Sequence, residues 1–150
     1  MSFAPEGRAL ARLFAFSIFR VEMPAMSKPL GIIAALSGLV AVACGAFGAH
    51  GLRAVLSPTM LDTWQTAVSY QFHHTLVLVV LALLPAVQGP LFRRAAWLFA
   101  AGIGIFSGSL YALVLLDARW LGMITPLGGV LLMIGWATLL VAVIRHRRAA

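Results

Sequence analysis

Any chemistry in this 150-residue chain has to be built from four histidines, one cysteine, two tyrosines and four acidic residues. The acids are Glu6, Glu22, Asp62 and Asp117, and all lie outside the long apolar runs. No buried carboxylate pair is therefore available for acid–base work. Cys44 has no second cysteine to pair with and sits within an apolar run, where the residue acts as a small packing group. Ser109 follows Gly108 and precedes Leu110, without the strand-to-helix pattern of a nucleophile elbow. His73 and His74 are adjacent, so on a helix they project about 100° apart and do not form the i, i+4 pair one face offers a metal. His50 could meet His74 across two helices, which keeps a bis-histidine haem geometry open, but no Cys-x-x-Cys-His attachment motif is present. The residues thus predict a protein that is not an enzyme, with no metal site and no cofactor.

The remaining polar side chains gather in a few segments. These are Gly45–His50, Trp64–His74, Ser107–Tyr111 and Ile124–Pro126. On the second segment Thr66, Tyr70, His73 and His74 share an arc of about 100° at helical periodicity. In lipid such an arc is expensive unless it faces the helix bundle or an interface. The candidate ligand-binding residues are His50, Thr66, Tyr70, Gln71, His74, Ser107, Ser109, Tyr111 and Thr125. The competing reading is that the same groups only form hydrogen bonds between helices, worth about 0.6 kcal/mol each on average in membranes. A histidine in a low-dielectric bundle needs a partner, and Tyr111 or Ser107 is the expected partner of His74.

The elements that must position these groups are set by composition. The chain is 62% hydrophobic and 10% charged, against about a quarter charged in a soluble domain, and its mean hydropathy is +1.00. So few charges cannot clothe a water-soluble globule of this size. A helix needs about 20 apolar residues to cross a bilayer, and the uncharged stretches Leu30–Ala49, Trp64–Leu84, Ala95–Leu116 and Leu121–Val143 meet that length. A membrane barrel would instead show short alternating strands. The expected fold is an all-α integral membrane four-helix bundle.

Lys and Arg set its orientation. Arg8, Arg12, Arg20, Lys28, Arg93, Arg94, Arg145, Arg147 and Arg148 fall on one side of the four spans, against Arg53 and Arg119 on the other. Both termini are therefore expected in the cytoplasm, with the protein multi-pass in the cytoplasmic (inner) membrane. The net charge of +7 is clustered between apolar runs, as suits anionic headgroups and not nucleic acid. Residues 1–28 read as a separate N-terminal segment, either an interfacial helix over Arg8–Arg20 or a stretch preceding a true start at Met26; residues 29–150 form the four-span domain. Small residues spaced four and three apart, Ala34, Gly38, Ala41, Gly45 and Gly48, make a stripe for close helix packing. Gly104-x-x-x-Gly108 and the pair Gly128 and Gly135 carry the same expectation.

Several segments together resemble the small bacterial membrane family labelled DUF423, related to the eukaryotic transmembrane protein 256 family. They are Gly45–Leu52 (GAFGAHGL), Trp64-x-Thr66-Ala67-Val68-x-Tyr70-Gln71-x-x-His74, Gly104–Tyr111 (GIFSGSLY) and Ile124–Gly129 followed by Gly135-Trp136. The resemblance covers about residues 29–143 and implies a four-span protein of the cytoplasmic membrane. It supplies no reaction, substrate or cofactor. Three functions follow in order. The first is a non-enzymatic protein acting by packing with itself as a homo-oligomer, with a membrane-protein partner or with membrane lipid. The second is a small-molecule, lipid or proton-handling site in the outer half of the bundle. The third is a haem or quinone redox subunit.

Overall fold

A computed structural model describes residues 27–83 and 89–147. The segment before Ser27, including the expected interfacial helix, lies outside them. Four long helices make up the described chain. Helix α1 (Lys28–Phe47) runs on through a π-helical turn at Gly48–Leu52. Helices α2 (Pro58–Leu83) and α3 (Pro90–Leu116) follow, and a short 3₁₀ turn at Arg119–Met123 leads into α4 (Thr125–Arg147). All four are long and apolar enough to cross a membrane.

Proline punctuates the starts: Pro29, Pro58, Pro90 and Pro126 each stand in the first turn of a helix, where the missing N–H would have no intrahelical partner. The Ser57 hydroxyl accepts the Met60 N–H at 3.3 Å and caps α2. α3 ends at Asp117, the one non-glycine residue at positive φ among the described residues, in a left-handed C-cap. Helices α2 and α3 begin six and five residues before the uncharged runs. Asp62, Arg93 and Arg94 are themselves exposed, in opening turns that extend past the apolar stretch. At 26 residues, α2 is about 39 Å long, more than the ~30 Å hydrocarbon thickness.

Each helix packs antiparallel against its chain neighbour. Ser37 meets Thr75 and Cys44 meets Trp64 between α1 and α2. Trp64 meets Tyr111 and His74 meets Phe99 between α2 and α3. Ser109 meets Thr125 and Phe92 meets His146 between α3 and α4. The central pair is α2 and α3. Helix α1 packs on α2 and touches α3, α4 packs on α3, and α1 and α4 share no extended interface among the described residues. The larger core cluster includes Leu30, Leu78, Leu81, Phe92, Phe99 and Leu132, and a smaller one centres on Leu52, Trp64 and Val114. Outward faces are apolar: Leu39 is 67% exposed, Leu36 56% and Leu140 61%. A water-soluble bundle would not expose so much aliphatic surface. Lys28, Arg93, Arg94 and Arg145 mark one end of the bundle, and Arg53, Asp117 and Arg119 the other.

Glycine placement separates real close approaches from apparent ones. A Cβ on Gly48 would strike the Trp64 indole at 2.6 Å, and one on Gly128 would strike the Phe106 backbone, its Cα at 2.6 Å. Gly135 lies against the Phe99 ring, and Gly38 and Gly45 face Thr75 and Val68 on α2. The expectation for Gly104-x-x-x-Gly108 fails: both are exposed and nothing lies within 4 Å of a Cβ built on either. The α3 glycine buried against a neighbouring helix is Gly102, which touches Leu132.

Candidate functional site

Three polar assemblies join the helices. In the first, the Tyr111 hydroxyl on α3 donates to Gln71 Oε1 on α2 at 2.8 Å. The Gln71 amide donates onward to the Ser37 carbonyl at 3.0 Å and to its hydroxyl at 3.4 Å. Ser37 in turn shares a 2.6 Å hydrogen bond with Thr75. Trp64 packs against Tyr111 with centroids 4.7 Å apart and the rings tilted at 56°, while its indole N–H donates to the Cys44 carbonyl at 2.8 Å. In the second, Ser107 donates to the Ala67 carbonyl at 2.8 Å, and Ser109 pairs with Thr125 at 2.9 Å. No buried side-chain N or O among the described residues lacks a partner, as a low-dielectric interior requires.

The third assembly is a clasp between α2 and α4. The Trp136 indole N–H can only donate, so His74 Nε2, 3.2 Å away, accepts. The ring proton therefore sits on Nδ1, which donates to the Tyr70 carbonyl at 2.7 Å. His74 is buried and engaged at both ring nitrogens. Its partner is Trp136, in place of the expected Tyr111 or Ser107, because the ring leaves α2 toward α4 while Gln71 and Ala67 take the contacts with α3. Occupied at both nitrogens, His74 has no lone pair for haem, and His50 lies exposed in the π turn beyond α1. The bis-histidine arrangement does not form.

The nine candidate residues thus divide. Gln71, Ser107, Ser109, Tyr111 and Thr125 are taken up by helix–helix hydrogen bonds. Thr66 is exposed and bonds back to the Asp62 carbonyl. Of the nine, Tyr70 and His74 border an open space. That space is a groove of about 780 Å³ between α2 and α4, floored by Phe106 of α3. Ser69, Tyr70 and His73 form one wall, Pro126, Gly129, Val130 and Met133 the other, and the His74–Trp136 clasp closes the deep end. Pro126 to Trp136 spans about 15 Å of helix. Tyr70 stacks on Phe106 with centroids 4.4 Å apart. The side chains of Ser69, Tyr70 and His73 are exposed to the groove and make no hydrogen bond among the described residues.

Ser37, Thr75, Ser69 and Trp136 were not among the sequence candidates. The first two are single hydroxyls in apolar runs, a weak signal. Trp136 reads equally well as a packing residue. The arc through Thr66, Tyr70, His73 and His74 also splits: His74 turns inward, and the other three face outward. Nor are the polar contacts confined to one end of the bundle. His74 lies about 24 Å from the start of α2 and about 14 Å from its end, and Ser37 and Thr75 sit at a similar level.

Four apolar helices joined by buried hydrogen bonds, presenting aliphatic side chains outward, define a small four-span integral membrane protein. The chain belongs to the DUF423 family, described as a protein of unknown function, whose model matches residues 44–129. Among its relatives, a UPF0382 membrane protein of Staphylococcus aureus (strain bovine RF122 / ET3-1) is 46% identical over 111 residues, covering 74% of this chain and 91% of the relative. The UPF0382 membrane protein YwdK of Bacillus subtilis (strain 168) is 43% identical over 117 residues, covering 77% and 95%. No solved structure matches the chain.

Proposed function

We propose that this protein is a non-enzymatic lipid-binding protein of the cytoplasmic membrane, and that the groove between α2 and α4 holds one lipid molecule. The observation that carries the reading is the pairing of a large open concavity with three side chains on its wall, Ser69, Tyr70 and His73, that lack partners among the described residues. Elsewhere in the described bundle the buried polar groups are satisfied. Unpartnered hydroxyl and imidazole groups in hydrocarbon are costly, so an amphiphile that meets them gains binding free energy. The apolar opposite wall suits its chain.

Orientation follows the basic residues: with Lys28, Arg93, Arg94 and Arg145 at one end of the bundle, both termini face the cytoplasm and the groove lies in the outer half and centre of the membrane. A second contact, with another copy or a membrane-protein partner, is favoured by the open Gly104–Gly108 surface on α3.

Native mass spectrometry of the purified protein tests the groove. One retained lipid per chain is expected, and Gly129→Leu, which places a side chain in the groove beside Phe106, should release it. Equal retention by the wild-type and Gly129→Leu proteins would place the lipid elsewhere.

A further inference from the structure

The groove also carries information about the head of its occupant. None of its lining residues is Lys, Arg, Asp or Glu. A phosphate head would require cationic donors, and among the described residues the basic side chains, Lys28, Arg53, Arg93, Arg94, Arg119 and Arg145, stand at the ends of the bundle. The hydrogen-bonding groups are also deep. His73 stands about 22 Å from the start of α2 and about 15 Å from its end, below the level a phospholipid head occupies and within reach of a neutral one.

The surfaces are flat and aromatic. Tyr70 and Phe106 are stacked at 26°. Gly129 exposes backbone beside the Phe106 ring, with no side chain to roughen the wall. The Trp136 ring, 49% exposed, closes the deep end while its N–H is held by His74. Ser69 and His73 remain free to donate along one edge. Planar π surfaces below and at the end, donors on one side and an aliphatic wall opposite match a flat ring bearing carbonyl acceptors and an apolar tail.

Resting on the lipid-groove reading above, we propose that the occupant is a neutral quinone-type lipid, its ring laid against the Tyr70–Phe106 pair and Trp136 and its carbonyl oxygens accepting from His73 and Ser69. The inference concerns binding alone and includes no electron transfer.

The test is a titration of the full-length protein, in a non-ionic detergent, with a benzoquinone carrying two isoprene units. Quenching of tryptophan fluorescence is followed, since Trp136 lines the groove while Trp64, Trp97 and Trp120 lie outside it. Saturable quenching is expected, and Trp136→Phe should remove the saturable part. His73→Leu and Ser69→Ala should each weaken binding roughly three- to tenfold, as loss of one hydrogen bond does. Gly129→Leu, which leaves Trp136 and its clasp intact, should abolish saturation. Quenching that rises linearly and equally in wild type and Gly129→Leu would reflect partitioning into micelles and would overturn the inference. So would a phospholipid or diacylglycerol, retained by the purified protein, that the quinone does not displace. In that last case the groove would still be a lipid site and only the nature of its occupant would be refuted.

Discussion

Gly128→Ala and Gly108→Ala make the same chemical change on neighbouring helices, and the packing predicts opposite signs. At Gly128 a methyl group would lie 2.6 Å from Phe106 Cα and 2.8 Å from its Cβ. These are main-chain and first side-chain atoms that cannot rotate away, so α3 and α4 must part by about 1 Å to restore carbon contacts of roughly 3.5 Å or more. Such overpacking costs about 1–3 kcal/mol. Separation would also weaken the Ser109–Thr125 hydrogen bond nearby, worth about 0.6 kcal/mol. Against this stands about 1 kcal/mol of improved helix propensity. The expected balance is a destabilisation of about 1–2 kcal/mol. At Gly108 the new methyl meets nothing within 4 Å, so only the propensity gain remains and the variant should be neutral or more stable by up to about 1 kcal/mol. Denaturant titration in mixed micelles, followed by circular dichroism, compares the two. Equal midpoints for both variants would refute the packing of α4 on α3 at this crossing.

Three further outcomes are expected. Gln71→Leu strands the Tyr111 hydroxyl and should destabilise by about 1–3 kcal/mol, while Gln71→Leu with Tyr111→Phe should recover part of that loss; a double variant as unstable as the sum of its parts would dissolve the network. A double-mutant cycle of His74→Phe and Trp136→Phe should give a coupling of about 0.6–1.7 kcal/mol in micelle stability, whereas zero coupling would mean that the clasp does not form. Reporter fusions at Ala150 and within Gly89–Arg94 should signal cytoplasm, and fusions near Ser57 and Arg119 the opposite side. A cytoplasmic signal at Ser57 would invert the topology.

Hydropathy made the four helices legible, because an apolar run of bilayer length has few other uses. Their ends were less so. The first turns of α2 and α3 carry Asp62 and Arg93–Arg94, charges that a helix leaving the hydrocarbon tolerates. Direction around each helix was the main thing missing. Periodicity shows that Gly104 and Gly108 share a face, but not whether a helix covers it, and here none of the described helices does. Likewise the spacing of Tyr70, His73 and His74 defines an arc without saying where the bundle cuts it. The cut falls between His73 and His74, so the unpartnered wall of the groove and the buried clasp come from consecutive residues. The need of His74 for a hydrogen bond was readable from its burial in apolar sequence. The identity of Trp136 as its partner was not, because 62 positions separate them.

The absence of an extended α1–α4 interface bears on how the chain is made. Each extensive interface joins a helix to the one synthesised just before it, so among the described residues no extensive interface waits for the last span to return to the first. A nascent chain can therefore dock helix by helix as each enters the bilayer. A ribosome that has delivered α3 has delivered every member of the Ser37–Thr75–Gln71–Tyr111 network. What then remains open is the face carrying His74, Phe99 and Phe106, which α4 meets last through Trp136, Gly135 and Gly128. The groove between α2 and α4 therefore acquires its second wall only when the last span docks.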